Sequence, residues 1–291
     1  MLCSVCVFAH NEERLLPLCL AALDAAAAGV PFHAHVMVNG STDETARIAR
    51  ALAAADPRIS VHELALADKA DAWNDYVHRA SGAAPAADMH VFLDGDVRPC
   101  AGAFAALAEA FERQPEAWGA AALPAAGRTR RSWTRKLFDN AVMSGNLYAV
   151  SAQALALIRE RNIRMPIGAY GEDGLLSYLF LTDLEAGRDD SHVKRIAFAG
   201  DAFFEFDSLE PGPRDAEIYR RRLRRYSQRY FQNQILYDLL KREGVSAMPA
   251  DIREIFTTKN LAGVRPRLSL ESFFFDVTTL NRLRREALGR G

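Results

Sequence analysis

Along the first 120 residues, blocks of hydrophobic positions alternate with mixed blocks, fitting strand and helix in turn. "CSVCVFA" (3–9), "FHAHVMVNG" (32–40), "ISVHEL" (59–64) and "MHVFLDGD" (89–96) are short apolar runs that predict strands, the first of them buried on both faces. "NEERLLPLCLAALDAAAA" (11–28), "STDETARIARALAAA" (41–55), "ADAWNDYVHRAS" (70–81) and "GAFAALAEAFERQ" (102–114) have helical composition. Gly29 reads as the C-cap of the first helix, and Ser41, heading a capping-box pattern, as the cap of the second. The alternation predicts an α/β fold with a mostly parallel sheet and helices on both faces. In such sheets ligands bind at the carboxyl ends of the strands, near a switch in strand order.

Beyond about residue 120 the pattern loosens. "AAGRTRRSWTRK" (125–136) is basic and polar and reads as a loop. "SGNLYAVSAQALALIRER" (144–161) predicts a strand leading into a helix, and "KRIAFAGDAFFEF" (194–206) a pair of strands. "GAYGEDGLLSYLFL" (168–181) sets Glu172 and Asp173 between glycines before an apolar helix. From about 214 a long basic helix is predicted, with Tyr219, Leu223, Tyr226, Tyr230 and Tyr237 as its apolar stripe. The expected organisation is one domain over 1–213 with a helical extension over 214–291 packed on it.

Composition narrows the class. Of 291 residues, 49% are hydrophobic and 25% charged, and the formal net charge of −1 gives no global reason to expect nucleic acid. Locally the balance shifts, because "YRRRLRRYSQR" (219–229) holds six arginines. The four cysteines show no secreted disulfide pattern; Cys3 and Cys6 form a CxxC, but in a strand that spacing points them to opposite faces. No basic region precedes a signal-length apolar run, and no segment of about 18 apolar residues is present to span a bilayer. A cytoplasmic enzyme, with membrane association through the basic helix as an addition, is the expectation.

The chemistry begins at "FLDGDV" (92–97), where a buried strand ends in two acids. Residues two apart in a strand point the same way, roughly 6.6 Å apart, and their carboxylates repel unless a cation lies near. A turn whose acids face water is the plainer alternative. Three further motifs accompany it in order: "FAHNEE" (8–13), "VNGSTDET" (38–45) and "GEDGLL" (171–176). Together, over residues 3–205, they resemble the inverting glycosyltransferases of family 2, which have the GT-A fold, a mostly parallel Rossmann-like sheet.

The resemblance implies a metal-assisted hexosyltransferase-like enzyme that moves a sugar from a nucleoside-diphosphate sugar to an acceptor hydroxyl on a glycan, a lipid-linked carrier or a small molecule. It implies that His10, Glu12 and Asn39 face the nucleoside, with Asn39 standing where relatives usually carry an acid. Lys69, in "DKADAWN" (68–74), resembles the family's lysine motif imperfectly, and would neutralise a phosphate or position the donor. Asp94 would reach the ribose or a metal-bound water. Asp96 would ligate a divalent metal, Mn2+ or Mg2+, at this DXD motif, with His192 as a further candidate ligand. Gly145 and Asn146 in "MSGNLYAV" (143–150) would line the donor-sugar and acceptor pocket. Asp173 would be the general base and Glu172 would orient the acceptor or the loop. The plainer reading of Glu12 is a first-turn helix charge, and that of Glu172 and Asp173 a capping pair at a helix start. The substrate pockets are expected on loops 125–143 and 182–193.

Two other functions stay open at this level: a non-catalytic nucleotide-sugar binder, suggested by Asn39 and the imperfect lysine motif, and a nucleotidyltransferase with a similar donor site. The latter would need a Gly-rich basic phosphate loop, which the N-terminus does not show. The basic helix is the candidate contact for a diphosphate, an acceptor loop or an anionic membrane surface.

Overall fold

The computed structural model describes all residues except 84–85, 128–129, 188–191, 208–211, 270–271 and 290–291, and only the backbone of 213–216. In chain order the elements are β1 (Cys3–Ala9), α1 (Leu16–Ala21), α2 (Leu23–Ala27), β2 (Phe32–Asn39), α3 (Thr45–Ala55), β3 (Ile59–Leu64), α4 (Lys69–His78), β4 (Met89–Asp94), β5 (Val97–Pro99) and α5 (Ala103–Arg113). There follow β6 (Gly119–Pro124), α6 (Arg130–Asn140), β7 (Leu147–Ser151), α7 (Ala152–Glu160), α8 (Glu172–Leu181), β8 (Ile196–Phe206), α9 (Pro213–Glu243), α10 (Thr258–Ala262) and α11 (Phe273–Leu288).

One eight-stranded sheet has the order β3-β2-β1-β4-β7-β6-β8-β5. The segment β3-β2-β1-β4 is parallel, as the alternation predicts. Beyond it the sheet is mixed: β7 is antiparallel to β4 and β6, β5 is antiparallel to β8, and β6 and β8 run parallel. From β1 the chain proceeds outward through β2 and β3 and then returns to place β4 on the other side. The switch in strand order therefore falls between β1 and β4, and a crevice opens at their carboxyl ends.

Both faces of the sheet are covered. One core joins Val5, Val7, Val36, Val91 and Leu93 to α1, α2, α3 and α5. The other joins Cys6, Met37, Phe92 and Tyr148 to α4, α7, α8, α9 and α11. Strands buried on both sides are dominated by apolar residues, which is why β1 and β4 read as hydrophobic runs, with Ser4 and His90 as buried polar exceptions joined through Tyr76. Cys3 and Cys6 fall in opposite cores, and all four cysteines are free. Burial pushes the Cys3 thiol up to about 12, so it is held protonated.

Several local expectations are corrected. The helix expected over 11–28 is two short helices broken at Ala22, and the left-handed residue at the end of the second is Ala28, ahead of Gly29. Ser41 does not cap α3; its hydroxyl donates to the Ala9 carbonyl (3.3 Å) and accepts from the Asn11 N–H (3.1 Å). The strand pair expected over 194–206 is the single strand β8, whose register slips against β6 between Ala121 and Leu123. The stretch read as a loop at 125–136 enters α6 at Arg130, with 128–129 outside the described residues. In α9, Tyr219 and Tyr226 of the expected stripe are exposed, Tyr230 and Tyr237 pack on the core as expected, and the fully buried face is Phe231, Leu236 and Leu240. That face belongs to the α8-side core.

Buried histidines add a pH dependence. His35 Nδ1 and His62 Nε2 lie 3.1 Å apart, and His35 Nε2 is buried without a partner. His90 Nδ1 meets the Tyr76 hydroxyl at 2.9 Å, and that hydroxyl meets Ser4 Oγ at 2.8 Å. Burial drives His35 down to about 3 and His90 to about 4. A histidine with a lowered folded pKa contributes stability fully above its unfolded value, about 6.5, and loses it as pH falls below that. The site carboxyls described next titrate in the opposite sense, so the effect is read as a difference. The stability gap between the native chain and His90→Gln is expected to shrink by about 2 kcal/mol between about pH 7.5 and about pH 5. Denaturant titrations at both pH values check this, and a constant gap contradicts it.

Candidate active site

The crevice gathers residues from six chain segments: the ends of β1, β2 and β4, the turn before β7, and the N-termini of α4 and α8. The loops after β1 and β2 brace each other. Asn11, left-handed at φ 57°, accepts from the Thr42 N–H (2.8 Å), and the Glu12 N–H donates to Thr45 Oγ1 (2.7 Å). Asp43 accepts from the N–H groups of Thr45 (3.0 Å) and Glu13 (3.3 Å), while Glu13 accepts from the Glu44 N–H (3.2 Å). Gly40 makes the crossing: its φ is +58°, and a Cβ there would lie 2.5 Å from the Ala67 nitrogen. Ser41, Asp43 and Glu13 are thereby occupied with structure.

His10, Asn39 and Glu12 are left at the cleft. His10 Nδ1 lies 2.7 Å from the Asn39 carbonyl oxygen. The Asn39 side chain is 5% exposed, and its Oδ1 is buried without a hydrogen-bond partner. A buried acceptor without a donor is costly, so this atom suits a ligand N–H. Glu12 is half-buried; burial first, then Asp96, Asp94 and Asp43, pushes its carboxyl up to about 8.

At the centre lies Lys69, the first residue of α4 after its cap Asp68, which accepts from the Asp71 N–H (2.8 Å). Its ammonium reaches Asp94 Oδ1 at 2.6 Å, Glu172 Oε1 at 2.7 Å and the Gly145 carbonyl at 3.2 Å, and lies 4.9 Å from the centre of the Phe8 ring. The two sides of the triad differ. Lys69 is held well above the ordinary lysine range, with the two carboxylates outweighing its burial. Asp94 and Glu172 are raised despite the lysine, because burial outweighs it. The ion contacts of 2.6 and 2.7 Å fit the charged triad, but its net stabilisation is smaller than the lysine's shift alone implies.

Asp173 is held from two sides. Its Oδ2 accepts from the Gly145 N–H (3.0 Å) and its Oδ1 from Arg229 Nη2 (3.3 Å), while its backbone carbonyl accepts from Ser177 Oγ (2.7 Å). Arg229 comes from α9. It lies over Gly171 and Gly174; Gly171 has φ +81°, and a Cβ there would overlap the guanidinium. Gln232, one turn on, clamps the backbone of Tyr170 from both sides, accepting at 3.0 Å and donating at 3.2 Å. Asn146 belongs to the same turn as Gly145; its carbonyl accepts from the Asp94 N–H at 3.2 Å.

Asp96 sits beside this group. Burial raises its carboxyl, with Lys69 and then Arg222 acting in the opposite sense. His192 is not brought near. It lies past the far end of α8, with Nε2 3.4 Å from Asp183, and the ten-residue helix separates it from Glu172 by about 15 Å. Among the described residues, no three His, Cys, Asp or Glu side chains converge where they could hold a metal. What the site offers a cation is crowded oxygen: Glu12, Asp94 and Asp96 share one half-buried region with carboxyls all raised by burial, and one lysine offsets them. That donor chemistry fits a hard divalent ion sharing Asp96 with phosphate oxygens and water.

Sequence reading singled out Lys69, Glu172, Asp173, Asp94, Gly145 and Asn146, and the structure brings these together. It did not single out Arg229 or Gln232. The seven-residue step from Arg222 to Arg229, two helical turns, was the available signal that two arginines share one face. Asn74, the last residue of the 68–74 stretch, exchanges hydrogen bonds with the Met165 backbone at 2.8 Å each way and holds the 162–166 segment. Of the expected substrate loops, 188–191 lie outside the described residues.

A family model described as glycosyl transferase family 2 matches residues 4–168, more than half of the chain. Three solved structures share the fold. A mannosyltransferase, PcManGT, from Pyrobaculum calidifontis in complex with GDP-Man and Mn2+ aligns over 99% of this chain and 75% of its own, at 18% identity and TM-score 0.58. S. aureus TarS in complex with UDP-GlcNAc aligns over 100% and 92%, at 14% identity and TM-score 0.52. Glucosyl-3-phosphoglycerate synthase from Mycobacterium tuberculosis, in complex with Mn2+, UDP and phosphoglyceric acid, aligns over 78% of each chain, at 20% identity and TM-score 0.52. Comparison with curated proteins gives no match.

Proposed function

The chain belongs to glycosyl transferase family 2 and has the GT-A fold, and on that premise we propose that it moves a sugar from a nucleoside-diphosphate sugar to an acceptor hydroxyl with inversion at the anomeric carbon. The observation that carries this is the joining of Asp173 to the Lys69–Asp94–Glu172 triad through the single turn at Gly145. On this reading Asp173 serves as the base and the triad as a charged donor platform, side by side at the strand ends.

In the proposed reaction the acceptor oxygen forms a bond to the anomeric carbon as the bond to the diphosphate oxygen breaks. The electron pair leaves with the nucleoside diphosphate, and the acceptor proton passes to an Asp173 carboxylate oxygen. Arg229 and the Gly145 N–H orient that carboxylate. Lys69 holds Asp94 toward the ribose and Glu172 at the helix start. Asn39 Oδ1 accepts from a base N–H of the donor; the similar structures hold GDP-Man and UDP. Asp96 would ligate a divalent ion, which when bound neutralises charge developing on the leaving diphosphate. The acceptor is a glycan, a lipid-linked carrier or a small molecule.

Thermal shift with nucleoside diphosphates, with and without Mn2+ or Mg2+, tests the donor site. Ligand at about 100 times its Kd is expected to add roughly 2.7 kcal/mol to stability. In Asp96→Asn the metal-dependent part of that increment is expected to vanish while the protein stays folded. If no nucleoside diphosphate stabilises the folded protein, the donor site is wrongly assigned. Donor binding without transfer to any acceptor pool favours a non-catalytic binder, and pyrophosphate release favours a nucleotidyltransferase.

A further inference from the structure

We infer that the first half of α9 and the start of α11 together form a docking surface for an anionic lipid bilayer. The inference goes beyond the transfer chemistry and does not depend on it. Arg220, Arg221, Arg224 and Arg225 are exposed on α9, and Glu217 is the sole acid from residue 217 to 237. Beside them stand apolar side chains open to solvent: Tyr226 at 51%, Leu268 at 94%, Phe273 at 48% and Phe274 at 68% exposure. Elsewhere among the described residues the large exposed hydrophobics, such as Leu18, Leu66 and Phe138, lie in separate elements. Scattered apolar residues need no explanation, whereas a contiguous patch ringed by one sign of charge does.

The two stretches form one surface. Asp276, three residues past Phe273, is fully buried beside Ser227, the neighbour of Tyr226. Arg267, which precedes Leu268, places its guanidinium 4.5 Å from the centre of the Tyr230 ring and pairs with Asp276 at 2.8 Å. The Arg282 guanidinium meets Gln228 at 2.7 Å. These links hold α11 on α9 while Leu268, Phe273 and Phe274 are left outward.

Charge complementarity chooses the occupant. Arginine stems with charged heads, interleaved with aromatic rings, match the interface of a bilayer carrying anionic headgroups, where the rings enter the acyl boundary and the guanidinium groups meet phosphate. The phenyl and leucine side chains have no hydrogen-bonding edge with which to read a nucleic acid base. No helix among the described residues is long and apolar enough to cross a membrane, so the contact is peripheral. It also borders the cleft, since the same helix sends Arg229 to Asp173.

Co-sedimentation of the full chain with vesicles tests the inference. Vesicles of about one-third phosphatidylglycerol in phosphatidylcholine are expected to bind the protein, and phosphatidylcholine alone to bind it far less. Each surface arginine is expected to contribute about fivefold, so Arg220, Arg221, Arg224 and Arg225 all changed to Gln should weaken binding by several hundredfold. Phe273→Ser with Phe274→Ser should weaken it separately, and raising salt to about 1 M, where screening acts within about 3 Å, should weaken the native chain. All six positions are on the surface, and circular dichroism confirms that the variants fold. Absence of binding by the folded native chain overturns the inference. So does vesicle binding unchanged by both variant sets, or a single-stranded RNA that binds more tightly than the vesicles and displaces them.

Discussion

Asp173→Asn is expected to lower sugar transfer about 10²–10⁴-fold, equivalent to about 3–5 kcal/mol of barrier, while leaving donor binding intact. The amide keeps the shape of the carboxylate, and its oxygen can still accept from the Gly145 N–H that now meets Oδ2 at 3.0 Å. What is lost is an oxygen able to take the acceptor proton as the new bond forms. The nucleoside-diphosphate thermal shift should therefore persist, and slow hydrolysis of donor by water should fall less than transfer. Steady-state rates with the native acceptor check the first statement and thermal shift the second. Undiminished transfer by Asp173→Asn would remove the base from the mechanism.

Lys69→Met is expected to cost about 3 kcal/mol of stability near neutral pH and to abolish activity. The residue is 28% exposed on its side chain, which lowers the figure below that of a fully sealed ion pair. Removing the ammonium leaves Asp94 and Glu172 facing each other across a half-buried space, with carboxyls already raised by burial. They can relieve the repulsion by taking up a proton. A carboxyl with a raised folded pKa contributes stability as pH falls, so the deficit of the variant should shrink between about pH 7 and about pH 5. Urea titrations at the two pH values check this. A deficit that is the same at both would mean that lost packing of the lysine stem against Phe8, and not charge, explains the cost.

The parallel half of the sheet was readable because strands buried on both faces are mostly apolar, and the few polar residues in β1, β2 and β4, such as Ser4, His35 and His90, lie buried beside polar neighbours in the core. β6 was not, since "GAAALP" carries no β-branched side chain and is a strand only because β7 and β8 flank it. The basic segment entering α6 has little helical patterning; Leu137 is buried and Phe138 stacks on Phe198 with centroids 4.1 Å apart, so tertiary contact supplies the helix. β8 was divided in expectation because its slipped register interrupts the alternation. In the site, acids at strand ends and helix starts could be placed by spacing. The partner of each could not: Lys69 spans Asp94 and Glu172, which lie 78 residues apart in sequence (172 − 94), and spacing carries no information about that. His192 was grouped with Asp96 by chain order, which the length of α8 defeats.

The Gly171 turn under Arg229 bears on how such a chain can be divided. The family signature ends at residue 168, and Asp173 just past it is held by a side chain more than fifty residues later. A chimera joined anywhere between β8 and α9 would inherit a complete set of donor motifs from one parent. Its proton acceptor would rest on whichever guanidinium and glutamine the other parent supplied. Gly171, admitting no side chain beneath that guanidinium, makes the junction a matter of matching two surfaces and not of choosing a permissive linker.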